Sequence, residues 1–147
     1  MTRMKKISLS VATLLLSRTL SAPLVSGDAP VFVEPHVTSQ WDVFIEALIW
    51  VESGGNEKAI GTKDDYGVLQ ITPVYVEEAN RIVGYEKYYH EECFDRDYSI
   101  EIFNVVNGYY NPDKDFDIAI KLHNPKAGEW YRERILNKYN EYGSTLL

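Results

Sequence analysis

The stretch Ser39-Gln40-Trp41-Asp42-Val43-Phe44-Ile45-Glu46-Ala47-Leu48-Ile49-Trp50-Val51-Glu52-Ser53-Gly54-Gly55-Asn56 decides how this chain folds. Ser39 and Asp42 make a capping box, each side chain placed to satisfy the other's backbone N–H at a helix start. Trp41, Phe44, Ile45 and Leu48 then recur at helical spacing until Gly54-Gly55 stops the helix. Trp41 and Glu52 are eleven residues apart, almost three full turns, so Glu52 falls on the same face as the apolar residues. A carboxylate thus caps an apolar stripe in the last turn, where the negative end of the helix dipole disfavours a negative charge. Desolvation and the dipole both push its pKa up and leave a proton to donate near neutral pH. Taken alone, a Glu at a helix end turns its head to solvent more often than it carries chemistry.

Outward from that helix, Asn56 to Asp65 is polar and Gly-containing, hence a loop, and leads into the short patch Tyr66-Gly67-Val68-Leu69-Gln70-Ile71. Thr72-Pro73 is a cap followed by a first-turn proline. It opens a helix carrying Tyr75, Val76, Ala79, Ile82 and Val83 that ends at Gly84. The tyrosine-rich, charged segment Tyr85 to Asp97 has no period and reads as irregular. Ser99 opens a helix through Asn107 that Gly108 closes. Asn111-Pro112-Asp113 turns the chain into a helical segment from about Asp115 to Leu122, and a last helix runs from about Gly128 to Tyr142. Nowhere do two alternating runs flank a two-residue turn. The fold class is mainly α, with one domain over 39–147 and no repeats.

The 147 residues are 45% hydrophobic and 13% aromatic, too apolar for a disordered tail and enough for a modest core. A formal net charge of −7 and a pI near 4.9 exclude a chain that holds nucleic acid through a basic surface. A single cysteine excludes an internal disulfide framework and any site of paired cysteines. Arg3, Lys5 and Lys6 precede the apolar run Ile7 to Leu16, with small residues after it at Ser21, Ala22, Ser26 and Gly27, the three-part layout of a secretory signal. The run is too short to span a bilayer. Cleavage after Ala22 or after Gly27 fits, with Gly27 favoured, giving a signal over 1–27 and an irregular leader over 28–38. The mature chain has 11 basic and 22 acidic residues, a charge of −11, and is expected as a soluble exported monomer, periplasmic or extracellular, without stable membrane insertion.

Three local patterns lead nowhere. Asp113-Lys114-Asp115-Phe116-Asp117 imitates a calcium loop, yet Ile118 stands where a glycine is required and Asn124 where a bidentate Glu is required. His90-Glu91-Glu92-Cys93 lacks the second His of a metal-binding helix, so no metal or other cofactor is expected. Cys93 reads as a packed thiol, since only His90 stands near to lower its pKa.

Glu52-Ser53-Gly54-Gly55-Asn56, followed at a loop's distance by Gly67-Val68-Leu69-Gln70-Ile71, resembles the first two motifs of the soluble lytic transglycosylase family: Glu-Ser at a helix end, then Gly-x-x-Gln and an aliphatic residue. The family's third motif, Ala-aromatic-Asn-x-Gly, is echoed by Leu122-His123-Asn124. Its fourth, Tyr-x-x-x-aliphatic-x-x-x-Tyr, is matched by Tyr131, Ile135 and Tyr139. The four stand in the family's order from Glu52 to Tyr139. Pro125 and Lys126 depart from the small residues of the third motif, and His123 replaces its aromatic.

The resemblance implies a lysozyme-like fold and cleavage of peptidoglycan glycan strands between N-acetylmuramic acid and N-acetylglucosamine. Glu52 would be the single acid/base, giving 1,6-anhydro ends. Ser53, Gln70 and Tyr131 would support it, with Asn124 and His123 as further substrate-binding positions. Two alternatives stay open. Asp64 or Asp65 would supply the second carboxylate of a hydrolysing lysozyme, or the chain would be a secreted glycan-binding module in which Glu52 has no catalytic role.

Overall fold

The computed structural model describes residues 39–145, so the expected signal over 1–27 and leader over 28–38 lie outside the described residues. Helix α1 (Gln40–Ser53) starts where the capping box predicts, with Ser39 and Asp42 bonded reciprocally, and stops at Gly54, whose φ of 65° is the left-handed C-cap that glycine adopts without strain. Helix α2 (Pro73–Val83) is capped by the Thr72 hydroxyl, which accepts from the Tyr75 N–H, and ends at Gly84. Helix α3 is Arg96–Tyr110, α4 is Phe116–His123 and α5 is Glu129–Thr145. Among the described residues there is no strand, only isolated bridges of Tyr66 to Ile60 and to Ile71.

Two boundaries differ from expectation. Asp95, not Ser99, caps α3, its carboxylate accepting from the Tyr98 N–H at 2.8 Å, and Ser99 lies buried inside the helix with its hydroxyl donating to the Cys93 carbonyl. Gly108 does not close α3. A mid-helix glycine costs about 1 kcal/mol relative to alanine, and burial of Phe103, Val106 and Asn107 holds the helix through it. The segment expected to be irregular holds a 3-10 helix, His90–Phe94.

Helix α5 packs along α1, and α2 packs on α3, which also meets the 3-10 helix and α4. Phe44, Leu48, Ile102, Phe103, Ile120 and Ile135 are fully buried between them. Phe44 stacks on Phe116 at 4.4 Å between ring centroids and on Trp41 at 5.3 Å, and the Trp41 indole N–H donates to Asn104 Oδ1 at 2.8 Å. That aromatic cluster anchors the start of α1, and the last turn of the helix, with Glu52, is only partly buried.

The 54–71 loop is fastened to the 3-10 helix. Tyr66 stacks on His90 at 4.0 Å and on Phe94 at 4.7 Å, and His90 Nε2 lies 2.8 Å from the Ile71 carbonyl oxygen. Gly67, at φ 73°, passes so close that a Cβ there would lie 1.9 Å from the Cys93 carbonyl oxygen.

Candidate active site

Glu52 is the penultimate residue of α1, and its side chain retains 16% of its exposure. Tyr131, from the first turn of α5, donates its hydroxyl hydrogen to Glu52 Oε1. His123, the last residue of α4, brings Nε2 to 3.4 Å from the same oxygen with its own side chain only 5% exposed. Residues far apart in sequence thus converge on one carboxylate. Burial raises the Glu52 pKa, but the contacts and charge of His123, the Tyr131 hydrogen bond and the Arg134 charge together outweigh it, and the net direction is down. The rise expected from burial and the helix dipole is therefore reversed, because α4 and α5 supply donors and cations that the local sequence of α1 does not contain. Tyr131 moves the other way: its burial and the neighbouring Glu52 carboxylate raise its pKa, so it stays a donor.

Glu52 lies on the wall of a cleft of about 490 Å³. The 54–71 loop contributes Lys63, Asp65 and Gln70 to the walls, α2 contributes Tyr75 and Glu78, and the end of α4 with the turn after it contributes His123, Asn124, Pro125 and Lys126. The lining sets the carboxylates of Glu52, Asp65 and Glu78 and the ammonium groups of Lys63 and Lys126 beside apolar surface from Val74, Tyr75, Val106, Leu122 and Pro125, a mixture suited to a ligand with polar groups and apolar faces.

The sequence-predicted residues divide by position. Glu52, His123, Asn124, Gln70 and Asp65 share the cleft, and Tyr131 touches Glu52 without lining it. The Ser53 hydroxyl points away, donating to the Val68 carbonyl at 2.9 Å and accepting from the Gly55 N–H at 3.2 Å, so it ties the loop to the end of α1 and does not orient the Glu52 carboxyl. Gln70, at φ 49°, spends its amide nitrogen on the Gly67 and Ala59 carbonyls at 2.9 and 3.3 Å. Asn124 caps α4 and accepts from the Lys126 N–H at 3.2 Å. Asp64 is exposed at φ 57° and does not line the cleft, whereas Asp65 does, and its Oδ1 is buried without a hydrogen-bond partner.

Arg134 was not foreseen. It lies one turn beyond Tyr131 on α5, so the three-residue spacing would have placed it near Glu52 once Tyr131 was assigned. Among the described residues no three His, Cys, Asp or Glu side chains gather to hold a metal ion. Cys93 is buried, and burial with the charges of Glu91 and Glu92 pushes its thiol up to about 12.

A family model described as the transglycosylase SLT domain matches residues 37–141. No curated protein and no solved structure matches the chain.

Proposed function

Because the chain belongs to the transglycosylase SLT domain family, we propose that it cleaves peptidoglycan glycan strands at the bond between N-acetylmuramic acid and N-acetylglucosamine, with Glu52 as the single acid/base. The observation that carries this reading is the Glu52 carboxyl, half-buried on the cleft wall and held at one oxygen by Tyr131. A substrate filling the cleft displaces water from that carboxyl and favours its neutral, protonated form. Glu52 gives the proton to the glycosidic oxygen as the bond to the anomeric carbon breaks. The substrate's acetamido group helps to carry the positive charge on that carbon. The ionised carboxylate then removes the proton of the sugar's own 6-hydroxyl, whose oxygen closes on the anomeric carbon as a 1,6-anhydro ring. Residues 1–27 fit this reading as an export signal that brings the mature chain to its substrate outside the cytoplasm.

One observation favours a hydrolase instead: Asp65 lines the same cleft with an unpartnered buried oxygen. A hydrolase needs that carboxylate as base or nucleophile, whereas the transglycosylase needs nothing of it. Mass spectrometry of digested peptidoglycan separates the two. Anhydro ends, lighter by one water, with substantial activity in Asp65→Asn support the transglycosylase. Reducing ends alone with a dead Asp65→Asn establish the hydrolase. Glu52→Gln keeps the shape and removes the transferable proton, so cleavage should fall at least ~100-fold in either case. Binding without cleavage in the unaltered protein would select the glycan-binding module.

A further inference from the structure

Two side chains from different helices meet one oxygen of Glu52. Tyr131 donates to Oε1, and His123 Nε2 stands 3.4 Å from it, while Oε2 has no protein partner among the described residues. The His123 ring is held from both neighbouring helices, edge-on to Tyr75 of α2 at 5.7 Å and to Phe103 of α3 at 5.8 Å between centroids. Its Nδ1 is buried without a hydrogen-bond partner. A bare acceptor in that position costs less than a bare N–H, which favours the tautomer with its hydrogen on Nε2, the ring atom that faces the Glu52 carboxylate at 3.4 Å.

We propose that His123 is a positioning residue for Glu52: with Tyr131 it flanks Oε1, leaves Oε2 to carry the reacting proton, and by favouring the carboxylate bounds the pH range in which that proton is present. The inference rests on the functional reading above and adds to it the regulation of the same carboxyl. The groups packed nearest Glu52 are His123 from α4 and Tyr131 and Arg134 from α5. Farther along the cleft wall lie Asp65 and Lys63 of the loop, Glu78 of α2, Tyr110 of α3 and Lys126 after α4. A donor and a positive charge on the ring each favour the Glu52 carboxylate. Replacing the ring therefore moves the Glu52 ionisation to higher pH and lets the general acid persist there.

The test compares the pH dependence of kcat/KM on purified glycan strands for the unaltered protein, His123→Phe and His123→Gln. The phenyl ring keeps the shape and removes both donor and charge, so the alkaline limb should rise by about one pH unit and kcat should drop about tenfold. The glutamine restores a neutral N–H, so kcat should recover to within about threefold while the limb stays raised. Superimposable profiles for all three proteins would overturn the proposal. A titration of the Glu52 side-chain carbon by ¹³C NMR, without substrate, gives a second readout. A higher midpoint in either variant supports the contact even if no protein cleaves, in which case the functional reading alone falls. Equal midpoints overturn the role of His123 whether or not the protein cleaves.

Discussion

The loop from Gly54 to Ile71 and the turn from Asn124 to Gly128 form two rims of one cleft, and they are fastened in different ways. The first is bound through its backbone: Ser53 Oγ to the Val68 carbonyl, the Gln70 amide to Gly67 and Ala59, Tyr66 against His90 and Phe94, and Gly67 against the Cys93 carbonyl. The second is a short turn. Its Ala127 N–H donates to the Asn124 carbonyl at 2.9 Å, and the Lys121 ammonium donates to the Ala127 carbonyl. The family motifs run through both. In the first rim their polar residues are consumed in holding the chain's own shape, which leaves little freedom at those positions. In the second, Pro125 and Lys126 are exposed and their side chains hold nothing in place, so this is where the family pattern gives way.

Three substitutions test that contrast, from the largest expected effect to the smallest. Gly67→Ala puts a Cβ into the Cys93 carbonyl at a backbone angle that alanine resists. Urea denaturation should show a loss of about 3 kcal/mol or more, or no folded protein. Ser53→Ala removes the tie from α1 to Val68 and should cost about 1–2 kcal/mol in the same measurement, with a fall in turnover as the loop loosens. Lys126→Ala, on the second rim, should stay within about 0.5 kcal/mol of the parent. A loss for Lys126→Ala equal to that of Ser53→Ala would erase the distinction between the rims.

Caps and stripes made much of this fold legible in the sequence. Ser39, Gly54, Thr72-Pro73 and Gly84 mark helix ends that the structure keeps, because each acts through its own neighbours. Asp95 was missed because Ser99, an equally good capping residue, stood four positions on, and the choice was made by the Cys93 carbonyl that takes the Ser99 hydroxyl. At the site, the helical period placed Glu52 at the end of its apolar face. The direction of its ionisation was not legible, since it depends on Tyr131, 79 residues away, and on His123 and Arg134, whose approach is set by how α4 and α5 pack. The sequence named Ser53 and Gln70 as partners of the carboxyl. It could not show that their side chains donate to the Val68 and Gly67 carbonyls of the neighbouring loop.

The buried thiol of Cys93 gives the first rim a clock. Thiol reagents attack the thiolate, and here the thiolate is suppressed and the sulfur enclosed, its S–H directed to the Tyr89 carbonyl at 3.9 Å. Labelling in mild alkali then proceeds only during excursions in which the packing around the 3-10 helix opens. The labelling rate counts those excursions, and a ligand that occupies the cleft and braces the loop should slow it in proportion to the fraction of molecules it occupies.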